Sequence, residues 1–345
     1  MSLQSVEHGK SSGAGRRRRF LRSVPQNAGR AKGLSSITDS RPTRYAPRVP
    51  DPSAILGAAA FLGTSSLLLW AGAVGGVVRE ALRPERKTIG WALGRGLPSE
   101  PTAWGLPGQE WDFEFDGTRC PVFEIGDTDP SAPAVIFLHG FARSRYDTLA
   151  RIGPLLPHAR RFILPDLPGH GDARGRSTRL GTDEDRFVAA LAARCATGSL
   201  VLAGHSLGAT IAMHAATLPE LAPRVKGVLA LAPYERLRTP LGARLDLRAL
   251  PRSPILGPAL TTLAALGIRE RSTRESAARI ACPVAVVAGG VDPVTPIEEA
   301  RAIASAARTS RLATIDRARH DDFETVGRAD VEASIAWLAA QGAFH

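Results

Sequence analysis

The sequence predicts an α/β protein built on a mostly parallel, doubly wound sheet, preceded by a single hydrophobic helix. Three observations carry this. From about residue 110 onward, short apolar runs alternate with longer amphipathic stretches, as expected for strands covered on both faces by the helices between them. The 27 residues from Pro52 to Val78 contain no charge. A serine flanked by glycines, Ser206, lies between an apolar run and a helical pattern, where a sharp strand-to-helix turn is required.

Residues 1–51 are rich in Gly, Ser, Arg and Pro without a sustained apolar period. They bury too little surface to offset the entropy of ordering and are expected to be disordered. Arg17 to Arg22 resembles a twin-arginine export signal, but such a signal needs an apolar stretch close behind it, and Ser23 to Pro52 is polar. Export by that route is not expected.

The uncharged segment 52–78 is longer than the roughly 20 residues needed to cross a bilayer core, so it is expected to be a transmembrane helix. Its five glycines dilute the hydrophobicity, and a hydrophobic helix packed on the folded domain is the other reading. Gly72 and Gly76 have the spacing of a helix-association pair. Arg41, Arg44 and Arg48 precede the segment, and Arg79, Arg83, Arg86, Lys87 and Arg95 come after it. Counted near the helix ends, the positive charge favours the cytoplasmic side for the folded domain beyond the segment.

The formal net charge of +11 is concentrated in the leader and this segment's flank. Residues 1–87 hold 15 Lys/Arg against 5 Asp/Glu, and the remainder holds 29 against 28. The globular part is nearly neutral, so the basic excess concerns membrane orientation or anionic lipid, and nucleic acid is not an expected partner. Cys120, Cys195 and Cys282 are widely spaced, with no C-x-x-C pair. They read as small buried hydrophobes, and neither a metal nor a cofactor is expected.

A connector spanning 79–109 leads into a folded domain over 110–345. Trp111–Phe115 and Cys120–Ile125 read as an antiparallel pair around Asp116-Gly117. Buried strands are expected at Ala134–Leu138, Phe162–Leu164, Leu200–Ala203, Gly227–Ala232, Val284–Ala288 and Leu312–Ile315. Helices are expected near Tyr146–Leu156, Thr182–Cys195, Leu207–Thr217, Pro296–Ala307 and Ala329–Ala340.

Gly204-His205-Ser206-Leu207-Gly208 is a G-x-S-x-G turn in the context that makes the motif informative. The two glycines relieve crowding at the turn and leave the Ser206 hydroxyl exposed at a helix N-terminus. A serine hydroxyl is a weak nucleophile, so it needs a base within hydrogen-bond reach and an acid to orient that base. Asp292 comes after the strand 284–288, and His320 after the strand ending at Ile315, in the chain order expected for such a triad. An oxyanion formed on attack needs two preorganised donors. The Phe141 amide, after His139-Gly140, and the Leu207 amide are the candidates.

On His139-Gly140, Asp166-Leu167-Pro168-Gly169-His170-Gly171, the Ser206 turn, Asp292 and His320, the chain resembles α/β-hydrolase-fold serine hydrolases over residues 110–345. The similar branch bears a lid and includes esterases, monoacylglycerol-lipase-like enzymes and serine-aminopeptidase-like members. The resemblance implies a mechanism in which His320 deprotonates Ser206, Asp292 steadies the imidazolium, and water cleaves an acyl-enzyme. Serine at position 206 separates the chain from the dehalogenase and epoxide-hydrolase members, whose nucleophile is a carboxylate. Asp172 stands where relatives often carry a small residue, at a position that shapes a loop. His170 and His205 are expected to be structural.

Residues 235–280 exceed what a crossover helix needs and are expected to form a lid. Its apolar stretch Leu250–Ile268 either lines an acyl pocket or docks the lid. Nine arginines (236, 238, 244, 248, 252, 269, 271, 274 and 279) face only four acidic residues in the same segment. Such a lid suits anionic headgroups or an acidic substrate, or is simply solvated. The expected function is hydrolysis of lipophilic carboxylic esters by a membrane-anchored enzyme. A thioesterase, peptidase, perhydrolase or lyase on the same residues, or a catalytically silent membrane-tethered binding module, are the alternatives.

Overall fold

The computed structural model describes residues 51–345. The basic leader and its arginine run therefore lie outside the described residues, apart from Asp51. The chain divides into two units, Met1–Ile55 and Leu56–His345, and the sheet lies wholly in the second.

Helices α1 (Pro52–Leu82) and α2 (Ile89–Leu93) precede the sheet. Strands β1 (Gly108–Phe115) and β2 (Thr118–Gly126) form the expected hairpin around Asp116-Gly117, whose φ angles of 46° and 69° belong to a left-handed turn. Next come β3 (Ala134–Leu138), α3 (Arg145–Arg151), β4 (Arg161–Pro165), α4 (Glu184–Cys195), β5 (Leu200–His205), α5 (Leu207–Ala215) and β6 (Val225–Leu231). Three helices then form the insertion expected as a lid: α6 (Arg238–Leu247), α7 (Arg252–Ala265) and α8 (Thr273–Arg279). The fold closes with β7 (Val284–Gly289), α9 (Ile297–Ala306), β8 (Ser310–Ile315), α10 (Phe323–Val326) and α11 (Arg328–Ala340). The helix expected over Tyr146–Leu156 stops at Arg151 and gives way to a 3-10 turn, Gly153–Leu155, because Pro154 cannot donate the hydrogen bond that an α-helix needs there.

The sheet order is β1-β2-β4-β3-β5-β6-β7-β8, with β3 through β8 parallel and β2 antiparallel to its neighbours β1 and β4. Every residue of β3, β4, β5 and β7 is buried, which is why these strands read as apolar runs, broken only at the ends by Arg161 in β4 and His205 in β5. Phe187, Leu191, Ile211 and Ile303 pack one face, while Tyr146, Leu149, Ile335 and Leu338 pack the other. Their helices thus sit on opposite sides of the sheet. Cys120 and Cys195 lie in the first of these layers, and burial pushes the Cys195 thiol up to about 12, so it behaves as a small hydrophobe.

Helix α1 has two regimes. It is 31 residues long and apolar enough to cross a membrane, with a mean hydropathy of 1.7 over its most apolar stretch. Leu56, Phe61, Leu68 and Leu69 stand open, Leu69 at 76% exposure. Past Trp70 the helix turns into the protein. Val74, Val78 and Ala81 are buried with Leu237, Leu241, Leu245 and Ile255, and Trp70 Nε1 donates to the Pro254 carbonyl at 3.1 Å. The segment 52–78 thus begins as an open apolar rod and ends as part of the lid's core. The connector 79–109 is likewise tied down: Arg86 donates to the Gly171 and Ala173 carbonyls, and Trp104 Nε1 to the Leu149 carbonyl at 2.8 Å.

A buried ion cluster fixes the loop after β4. Asp166 is fully buried and accepts from the Arg145 amide at 2.7 Å, the Arg145 guanidinium and the Asp172 amide at 2.7 Å. Asp172, which from sequence only shaped a loop, adds its own carboxylate to Arg145 at 3.0 Å. Removing one partner of such a buried pair leaves an uncompensated charge. Asp166→Ala should therefore lose about 3–5 kcal/mol in urea unfolding. Asp172→Ser, at a one-third-exposed position, should lose no more than about 1 kcal/mol.

Candidate active site

The site grows out of the C-terminal ends of β3, β5, β7 and β8. At the end of β5 the chain reverses directly into α5, and Ser206 adopts φ 53° and ψ −113°, a conformation costly for any residue with a side chain. Its amide donates to the Leu231 carbonyl at 2.8 Å, which holds the turn against β6. A Cβ on Gly204 would lie 2.2 Å from the Gly208 carbonyl carbon, and one on Gly208 would lie 2.1 Å from the Leu138 carbonyl oxygen. Both glycines are therefore required by close backbone approach, and together they seat the serine over the end of β3.

Asp292 and His320 are brought together: His320 Nδ1 and Asp292 Oδ2 are 2.7 Å apart. The Asp292 carboxylate is itself held by the Val294 and Thr295 amides at 2.7 and 3.0 Å and by the Thr295 hydroxyl at 2.6 Å. Burial pushes this carboxyl up, but the His320 and Thr295 contacts outweigh it, so it titrates below the ordinary carboxylate range and is ionised at neutral pH. Ser206 and His320 line one cavity of about 450 Å³. They form no direct hydrogen bond among the described residues, a common state of such pairs before substrate binds. Gly140, Phe141 and Leu207 line the same cavity. Neither the Phe141 nor the Leu207 amide donates to an acceptor among the described residues.

Two histidines build the frame around these groups. His139 Nε2 accepts from the Leu167 amide at 2.9 Å, so Nδ1 carries the proton and donates to the Gly140 carbonyl at 2.8 Å. This ring ties the Gly140-Phe141 loop to the loop after β4. His205 Nε2 lies 2.7 Å from the His320 carbonyl, and its ring packs 4.9 Å from the His320 ring. From the sequence His205 reads only as structural, and in the fold it holds the backbone of His320. The one signal in the sequence is its place beside Ser206, which says nothing about a loop 115 residues away. Arg143 Nη2 joins the Gly140-Phe141 loop to the His320 loop by donating to Asp321 at 2.7 Å. The lid closes the cavity with Leu237, Leu241, Arg244 and Leu247, all from the segment before Leu250. The stretch Leu250–Ile268, one candidate for the pocket wall, instead packs Ile255, Ala259 and Leu263 against α1 and α6.

The sequence profile described as "Alpha/beta hydrolase family" matches residues 135–340, and the chain belongs to this family. Over 241 residues it is 31% identical to a pimeloyl-[acyl-carrier protein] methyl ester esterase of Xanthomonas campestris pv. campestris, covering 57% of this chain and 91% of that one. An esterase of Pyrococcus furiosus superposes with a TM-score of 0.56 at 17% identity, covering 70% of this chain and 93% of the other. A membrane phospholipase A, described as a bacterial virulence factor, superposes with a TM-score of 0.55 at 18% identity, covering 84% and 99%. The chain is thus an esterase-like hydrolase.

The buried histidines set an acid limit on stability. Burial first, and nearby positive charge second, drives His139, His170, His205 and His214 below the ordinary 6.5, to about 4 for His170 and about 3 for His214. The unfolded chain takes up protons that the folded one refuses, so this stability is intact above about pH 6.5 and is lost as pH falls toward 4 and 3. Each ring contributes a slope of roughly 1.4 kcal/mol per pH unit. Urea unfolding measured from pH 7 to 4.5 should show a steep loss, and His214→Gln should reduce its slope by about one proton. An unchanged slope in that variant would refute the assignment.

Proposed function

We propose that the protein is a serine esterase in which Ser206 attacks the acyl carbonyl, His320 acts as general base and then acid, and Asp292 orients and steadies the imidazolium. The Phe141 and Leu207 amides form the oxyanion hole. The observation that carries this reading is the strained Ser206 turn facing the same cavity as a His320 already paired with a buried, ionised Asp292.

The substrate class is lipophilic acyl esters. Leu180, Leu207, Leu237, Leu241 and Leu247 give the cavity a largely apolar wall, which suits a hydrocarbon chain. The open, apolar first half of α1 anchors the enzyme as a single-pass membrane protein, and the charge count favours a cytoplasmic catalytic domain. The phospholipase likeness supports the anchor, because its 84% coverage exceeds what residues 108–345 alone provide. With Trp70 to Leu82 docked on the lid, the anchor would hold the cavity near the membrane surface.

A fluorophosphonate probe should label the wild type and not Ser206→Ala, and a wild type that fails to label overturns the enzyme reading. Asp292→Asn should lower kcat for a p-nitrophenyl ester about a thousandfold to ten-thousandfold, because the imidazole loses its orienting charge. Carbonate extraction of membranes should leave the full chain in the pellet, and its complete release would refute the anchor.

A further inference from the structure

The lid's nine arginines have different fates. Arg238 forks onto Glu270, Arg252 onto Asp246, and Arg271 reaches Asp185 at 2.6 Å. None of these three lines the cavity shared by Ser206 and His320, and among the described residues Arg244 is the one lid arginine that does. Its guanidinium lies 4.2 Å from the centre of the ring of Phe141, which lines the same cavity. One carboxylate, Glu80 of α1, forms a long ion pair with it at 3.6 Å and accepts no hydrogen bond from it. That same Glu80 oxygen is already occupied by Arg248 at 2.6 Å.

The other charges on the cavity wall do not neutralise Arg244. Asp321 is paired with Arg143 at 2.7 Å, and among the described residues neither Asp321 nor Asp322 forms an ion pair with Arg244. Arg244 donates no side-chain hydrogen bond among the described residues, and it is two-thirds removed from solvent. A guanidinium has five N–H donors in a planar fork that matches a carboxylate or phosphate, and a largely buried cation beside apolar walls attracts an anion far more than one in water does. Burial, opposed by the Glu80 carboxylate, pulls the Arg244 pKa below the ordinary guanidinium range.

We propose that Arg244 is a specificity-determining residue that binds an anionic group, a carboxylate or a phosphate, carried by the acyl ester at a distance from the bond that is cleaved. The enzyme then prefers such esters over neutral ones of the same length. The inference rests on the serine-esterase reading of Ser206, and the test separates the two.

The test uses the full chain in detergent with two matched substrate pairs: p-nitrophenyl octanoate against mono-p-nitrophenyl suberate for the carboxylate, and a monoacylglycerol against lysophosphatidic acid of the same chain for the phosphate. The quantity read is the ratio of kcat/KM for the anionic member to that for the neutral member, which cancels any general loss of folded enzyme. Arg244→Gln should lower this ratio about tenfold or more in at least one pair, mainly through KM, and Arg244→Lys should retain part of it. The pair that responds identifies the anion. Ratios within about twofold of the wild type in both pairs overturn the proposal and assign Arg244 to lid packing alone. Absence of any hydrolysis by the wild type overturns the esterase reading, and this inference with it, which is a different result from unchanged ratios.

Discussion

The constraint on which the rest depends is the backbone turn at Ser206. A residue with a side chain is held at φ 53°, a conformation that typically costs about 1–3 kcal/mol and persists only where its surroundings over-determine it. Here β5 is clamped between β3 and β6 on one side of the turn, and α5 is packed into the apolar layer on the other. The turn can tighten only because Gly204 and Gly208 let three backbone segments meet at the end of β3. The same closeness brings Gly140 under the serine, where even a Cβ would sit 3.0 Å from His205.

Around that turn the molecule uses neutral rings and buried ions as struts. His139 and His205 are kept uncharged by burial, so each offers defined hydrogen-bonding atoms to a loop carrying a site residue. Asp166 and Arg145 hold the loop after β4 in the corresponding way. These contacts join loops far apart in sequence, and they explain how groups from four strand ends face one cavity although most of them lie on loops.

Much of this was legible in the sequence, and for physical reasons. Strands buried on both faces must be apolar throughout, so β3, β5 and β7 could be read as runs. The turn chemistry of Asp116-Gly117 and of Gly204 to Gly208 is local, and local rules sufficed. Other contacts between distant residues could not be read: Asp172 with Arg145, His205 with the His320 carbonyl, or which lid residues receive Trp70 and Val74. The uncharged segment 52–78 is the clearest case. Composition marks it as apolar, but a side chain bound for lipid and one bound for a protein core have the same composition.

The sequence by itself determined the sheet, the strand ends and the identities of Ser206, Asp292 and His320 as candidates, because period, turn residues and chain order are properties of the chain alone. Only the tertiary structure decided that Asp292 and His320 meet at 2.7 Å, that the apolar helix 52–82 ends on the lid, and that Arg244, alone among nine similar arginines, lines the cavity. Those outcomes depend on distances between segments far apart along the chain, and such distances are fixed by packing.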